Sequence, residues 1–331
     1  MDAELSSIFL KIGLATMPRS TAKFIAYDLR PAKQTERRLL LDYLESLKET
    51  GVEISSSRYI GMGGAKFYDF AMVHRFLGIS DLVSCEWNET MARRGNYNRP
   101  FALIDVQNRR VGRYIDDHLH EKLAVTWLDY DTGLNDDIIE DIVKIGSKAV
   151  INSSFFVTVC SDLPDRLRDM SGQERQEDIS EIFGAFSDDV AHGDLEEANF
   201  SMAVSKILTK AFQNSFAGRT DGLWLPIFRV DYRDSSRMLT YGGTFANAEV
   251  AKKLKKIVKR RLPFLLRDEE FYSIRNYNLT ERERHLFEFS ATARRNCKEA
   301  NKLRDLGFTE ADFKAYEDLV RFLPRYVETY F

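Results

Sequence analysis

RYIGMGGAKFYDFAMVHRFLGISDLVSCEWN, residues 58–88, holds the turn that organises this chain. An apolar run closes on Gly61, Gly63 and Gly64, a segment with helical apolar spacing follows, and a second apolar run ends on Glu86, 22 residues beyond Gly64. The pattern is strand, tight turn, helix, strand. Glycine belongs in such a turn where backbone must approach a neighbour closely or take angles that a Cβ forbids. The same pattern also serves as a plain structural turn.

Outward from this turn, strands and helices keep alternating, as in a parallel sheet covered on both faces. ERRLLLDYLESLKETG (36–51) spaces its apolar residues helically and stops at Gly51. FALIDV (101–106) reads as a third strand, RVGRYIDDHLHEK (110–122) contains a helix, and LAVTWLDYD (123–131) is a fourth strand that ends in acids. NDDIIEDIVKIG (135–146) is a helix whose acidic start suits the positive end of its dipole. KAVINSSFFVTVCS (148–161) is β-branched and apolar enough for a central fifth strand. Residues 161–200 carry 12 acids against 3 bases and read as a helical insertion. FSMAVSKILTKAFQNSFAG is a strong helix, and LWLPIFRVDYRDSSRMLTYGGTFA (223–246) reads as two antiparallel strands joined by RDSS. The division expected is a helical, basic N-terminal segment (1–50), an alternating strand-helix domain (51–246) with the acidic insertion near 161–200, and a helical C-terminal appendage (247–331).

Composition narrows the class. The 331 residues are 44% hydrophobic and 30% charged with a net charge of -3, which suits an ordinary globular chain and does not mark it as a nucleic-acid binder. No run approaches the ~18 apolar residues of a membrane helix, and the N-terminus lacks the form of a secretory signal, so a cytoplasmic chain is expected. Cys85, Cys160 and Cys297 lie far apart without C-x-x-C spacing. Buried free thiols are the expectation, with neither a disulfide framework nor a cysteine zinc site. His118 and His120 do not share a helix face, so no metal is assigned to them.

Five strand-helix units finished by an antiparallel hairpin resemble the class I S-adenosylmethionine-dependent methyltransferases, over roughly residues 35–246. The resemblance extends to divergent bacterial O-methyltransferase-type proteins. It implies an α/β, Rossmann-like, mainly parallel seven-stranded sheet and S-adenosylmethionine as cofactor. Gly61, Gly63 and Gly64 then match the cofactor loop, Glu86 the acid that accepts the two ribose hydroxyls, and Asp105 the place that holds the adenine edge. Asp129 and Asp131 match the acidic motif where methyl donor and acceptor meet, and either one would remove the acceptor proton or orient the acceptor. The loop departs from the family in having Tyr59 and Ile60 where an acid usually precedes the first glycine. Asp69, just inside the helix, is the nearest substitute.

The segment AYDLRPAKQTERRLL (26–40) places Tyr27, Arg30 and Lys33 ahead of the loop, as candidates to receive an anionic group of a substrate. Arg37 and Arg38 read more plainly as the solvated face of the next helix. His74 reads as a helix-packing histidine. KKLKKIVKRR (252–261) has Leu254, Ile257 and Val258 on one side, as in an amphipathic surface helix, or else offers phosphate contacts to a nucleic acid or acidic partner; no aromatics accompany it. No N/D-P-P-Y/F turn and no Pro-Cys pair occur, which disfavours base methylation and leaves O-methyl transfer to a small or anionic acceptor. An NAD enzyme is disfavoured because the G-x-G-x-x-G spacing breaks at Lys66. A non-catalytic sensor on the same fold is the alternative.

Overall fold

The computed structural model describes residues 30–324, apart from 268, 269, 276, 278 and 293–296; Tyr27 lies outside the described residues. Helix α1 (Pro31–Lys48) precedes an alternating series: β1 (Arg58–Gly61), α2 (Tyr68–Leu77), β2 (Asp81–Cys85), α3 (Glu89–Asn98), β3 (Ile104–Gln107), α4 (Val111–His118), β4 (Ala124–Gly133), α5 (Asp136–Lys148) and β5 (Ser153–Cys160). The acidic stretch supplies α6 (Asp165–Arg168) and α7 (Gly172–Phe183), and α8 (Phe200–Phe216) follows. A hairpin of β6 (Leu223–Arg233) and β7 (Arg237–Ala246) leads to α9 (Ala248–Arg261), β8 (Tyr272–Ile274), α10 (Glu281–Thr292), α11 (Lys298–Asp305) and α12 (Glu310–Leu319).

The eight strands form one sheet in the order β3-β2-β1-β4-β5-β7-β6-β8. Only β7 runs against its neighbours, pairing antiparallel with both β5 and β6. Order reverses between β1 and β4, which places the carboxyl ends of these two strands at a topological switch point, where open α/β sheets bind ligands.

Residue alternation within the strands builds a core on each face of the sheet. Tyr59, Val125 and Trp127 face α1, α2 and α9, whereas Ile60, Ala124 and Leu128 face α4, α5 and α8. A smaller third cluster joins Phe287, Leu303, Phe313 and Tyr316 of α10 to α12. Strands buried on both sides must be apolar throughout, which is why β1, β2 and β5 read as continuous runs.

Several details depart from the expectations. An eighth strand, β8, lies within the stretch read as wholly helical and pairs parallel with β6; three residues are too short to display a period. The third strand begins at Ile104 and runs on to Gln107, not over 101–106. Cys85 is buried, and burial pushes its thiol up to about 12, but Cys160 and Cys297 are half-buried. Cys160 ends β5, and Cys297 caps α11 by accepting from the Ala300 N–H. Of the two arginines expected on a solvated face, only Arg38 is exposed. Arg37 is buried instead, while the exposed Arg38 donates to the Phe322 and Leu323 carbonyls of the chain's C-terminal part.

The basic run falls in α9, with Leu254 and Val258 buried. Its Arg260 and Arg261 pair with Glu49 and Asp42 at the far end of α1. His74 packs as expected, with Nδ1 2.8 Å from the Ile79 carbonyl and its ring 4.7 Å from Phe101.

Candidate active site

Strand register sets the site. Gly61 lies opposite Ser84 of β2 and Trp127 of β4, so the glycine turn, Glu86 and Asp129 all emerge just beyond one level of the sheet. The turn is pinned by the Gly63 N–H, which donates to Ser84 Oγ at 3.0 Å. A Cβ on Gly63 would lie 2.4 Å from Phe67 Cδ1, because the Phe67 ring fills the space in front of it. Phe67 is itself 1% exposed and takes a left-handed φ of 52°, an outlier for a bulky residue that its packing on Phe70 holds in place. Gly64 has φ +55° with open space where a Cβ would be.

Glu86 stands just past β2. Its Oε1 accepts the Asn88 N–H at 2.9 Å, and its own carbonyl accepts from Asn108 Nδ2 at 3.0 Å. Oε2 has no partner among the described residues. Burial raises the Glu86 carboxyl, the Asn88 N–H opposes this, and the charge of Asp131 adds to the rise. Asp131 is exposed on the outer end of β4. Asp105 is exposed within β3, two residues before the strand's end, and accepts from Gln107 Nε2 at 2.6 Å.

Helix α1 closes over the α2 side of these strand ends. Its first turn is capped from a distance: Asp234, in the β6–β7 turn, accepts the Ala32 N–H at 3.1 Å and the Lys33 N–H at 3.0 Å. Pro31 at the first helical position needs no such partner. Arg30 donates to Ser235 Oγ in the same turn at 3.0 Å. So anchored, α1 sets Lys33 against Asp129 and Arg37 against Asp69. Lys33 Nζ lies 2.8 Å from Asp129 Oδ1 and 2.8 Å from Glu36 Oε2. Arg37 Nε lies 2.6 Å from Asp69 Oδ1, with the guanidinium 5.5 Å from the Tyr68 ring centre.

The structure thus brings together Gly61, Gly63, Gly64, Glu86 and Asp129 at the strand ends, with Asp69 and Lys33 held behind them in ion pairs. Asp105 stands apart, and Arg30 belongs to the hairpin anchor. Trp87, Asn108, Ser84 and Glu36 escaped the sequence reading. Only Trp87 carries a local signal, an indole directly after the strand-end acid that proves 52% exposed. Glu36 and Ser84 matter through partners far away in sequence, which no spacing reveals.

A family model described as "Putative O-methyltransferase" matches residues 25–331. The chain belongs to this family. Its strand order and reversed seventh strand are those of a Rossmann-like methyltransferase fold. Among solved structures, the chain is similar to Trm1 from Pyrococcus horikoshii with S-adenosyl-L-methionine, at 10% identity and a TM-score of 0.40 over 67% of this chain and 58% of that one. It is also similar to an S-adenosylmethionine-dependent O-methyltransferase from Thermotoga maritima, at 13% identity and a TM-score of 0.34 over 61% of this chain and 64% of that one. A third is the plantazolicin methyltransferase BpumL in complex with a monoazolic desmethylPZN analog and SAH, at 8% identity and a TM-score of 0.38 over 64% and 85%. The chain therefore spans little more than half the length of the Pyrococcus protein. A comparison with curated proteins found no match. No helix among the described residues is long and apolar enough to cross a membrane.

The residues fit the cofactor. Gly64 leaves open the space that any other residue's Cβ would fill, and one strand away Glu86 offers a carboxylate with one oxygen fixed and one unpartnered.

Proposed function

We propose that the chain transfers the methyl group of S-adenosylmethionine to an oxygen of a small or anionic acceptor in the cytoplasm. Glu86 carries this reading. A vicinal diol presents two O–H donors, and a half-buried carboxylate with a free oxygen at the carboxyl end of β2 is the complementary acceptor. The backbone of Gly61 to Gly64 would lie along the methionine end, and the exposed Trp87 ring beside Glu86 offers a stacking face for adenine. Asp105 stays the position proposed for the adenine edge, exposed on β3 with one carboxylate oxygen accepting from Gln107.

When bound, the cofactor supplies an electrophilic methyl group on a sulfonium. The chain's work is then to align the acceptor oxygen and to take up its proton. Asp129 supports the second role. Its Oδ1 is occupied by Lys33, and the side chain is partly open to solvent at the switch point between β1 and β4. Asp131 lies further out and acts on Glu86 through its charge.

Isothermal titration of the wild type and Glu86→Ala with S-adenosylmethionine and with NAD tests the reading. S-adenosylmethionine should bind and NAD should not. Loss of charge-assisted hydrogen bonds of ~1.5 to 3 kcal/mol each should weaken the variant by about tenfold or more. Unchanged affinity in a folded variant rejects it.

A further inference from the structure

Beneath Asp129 lies a set of buried charges that cofactor binding leaves unused. Lys33 is 3% exposed and Glu36 is 0% exposed. An ammonium has three protons to place. Lys33 Nζ donates to Asp129 Oδ1, lies 2.8 Å from Glu36 Oε2 in an ion pair outside hydrogen-bond geometry, and sits over Trp127, whose ring centre is 4.6 Å away, with the Tyr232 ring at 5.6 Å. Buried and already paired with two carboxylates, Lys33 is closed to an incoming anion, and its expected role as a substrate contact gives way to another.

The other Glu36 oxygen accepts from the Thr240 hydroxyl. Because Thr240 spends its proton there, the 2.7 Å bond between Thr158 and Thr240 must be donated by Thr158, whose oxygen in turn accepts from Trp127 Nε1 at 2.9 Å. A continuous network thus links the donors Trp127, Thr158 and Thr240, which point toward Glu36, to Lys33, which pairs with Glu36 and donates to Asp129, tying β4, β5, β7 and α1 together. Burial disfavours the Lys33 charge, but Asp129, Glu36 and Asp69 outweigh both burial and the repulsion of Arg37, so the ammonium is held above its ordinary value. Burying ions merely for stability is a poor bargain, since an apolar set of similar volume does as well or better. What the ions add is a fixed carboxylate.

We propose that Lys33 and Glu36 are positioning residues for Asp129: Lys33 fixes one carboxylate oxygen and thereby turns the other toward the acceptor, while Glu36 fixes Lys33. This rests on the reading of Asp129 as the group beside the acceptor. Trp127 and the two threonines in turn fix Glu36, so the orientation of Asp129 is set by the sheet and not by solvent.

Three proteins test this: wild type, Lys33→Met, and Lys33→Met with Glu36→Gln. The single variant strands Glu36 without its cation and should lower the unfolding midpoint; the double variant removes the stranded charge and should recover it. Transfer of tritiated methyl from S-adenosylmethionine into the small-molecule fraction of a cell extract should fall about a hundredfold in both variants, with cofactor affinity by titration within about threefold of wild type. Recovery of transfer together with the midpoint would reduce Lys33 to a structural role and overturn the proposal, as would full transfer by the single variant. A second readout does not depend on turnover. The Lys33 ammonium should give a slowly exchanging nitrogen-15 signal that shifts in Asp129→Asn. If that signal is absent, or indifferent to Asp129, the positioning contact does not exist. Failure of the wild type to bind S-adenosylmethionine would instead reject the cofactor reading, and the ammonium signal would still report on the contact.

Discussion

Lys33 Nζ and Asp129 Oδ1 lie 2.8 Å apart although 96 residues separate them in the chain, and the contact exists because Asp234 holds the first turn of α1 onto the β6–β7 hairpin. The hairpin that distinguishes this sheet topology thus reaches the strand ends where chemistry is proposed. It does so through a helix that precedes the sheet in sequence.

The two acids of the fourth strand should separate by function. Asp129→Asn is expected to lower turnover by ~10² or more, the scale for loss of a general base, with cofactor affinity little changed. Asp131→Asn should leave turnover within a few fold, because its side chain is exposed and lies further out on β4 than Asp129. Steady-state kinetics beside titration calorimetry measure both. Equal losses in the two variants would remove the distinction.

Glu86 makes cofactor binding depend on pH. Ribose hydroxyls donate to the ionised carboxylate, so affinity should rise as pH rises through the elevated Glu86 value and stay flat above it. Asp131→Asn removes one cause of the elevation and should move the rise to lower pH. For the free protein the sign reverses. A carboxyl raised by folding contributes stability at low pH that is lost as pH climbs through its folded value. Glu86→Gln should therefore match the wild type in acid and be the more stable at neutral pH without ligand, as denaturant melts across pH would reveal.

Anchoring of α1 is testable apart from catalysis. Asp234→Ala frees two first-turn N–H groups, so ~0.5 to 2 kcal/mol of stability should be lost, the usual range for a helix cap. Urea unfolding checks this. Affinity for S-adenosylmethionine should persist, since neither the glycine turn nor Glu86 touches the hairpin anchor. No change in stability would mean that Pro31 and water suffice to start the helix.

The sheet was legible because its central strands are apolar on both faces and its turns carry glycine or acids at strand ends; β1, β2, β4 and β5 all announce themselves this way. The positions of Gly61 to Gly64, Glu86 and Asp129 followed from that pattern. The partner of Lys33 did not, because a surface cation and a buried one look alike until α1 is docked. Arg37 was misplaced for the same reason, its burial against Asp69 being a consequence of tertiary packing alone. Glu36 carried no signal at all, since an acid flanked by Thr35 and Arg37 in a helical run reads as solvated.

The glycine turn itself divides into two kinds of position, which substitution should expose. At Gly63 an added Cβ would meet Phe67 Cδ1 at 2.4 Å and Cε1 at 2.5 Å. Phe67 cannot move aside cheaply, because it is buried against Phe70 and already sits at positive φ. Gly63→Ala should therefore cost ~1 to 3 kcal/mol, as overpacking does, and impair binding only through the misfolded turn. At Gly64 nothing lies within 4 Å of the new methyl, so Gly64→Ala pays only the left-handed backbone, ~1 to 2 kcal/mol. Its methyl would instead stand in the open space proposed for the methionine end of the cofactor. Affinity for S-adenosylmethionine should then fall by more than the small loss of stability explains. Calorimetry on the folded Gly64→Ala protein decides the matter: undiminished affinity would make the turn a structural joint and move the cofactor away from it.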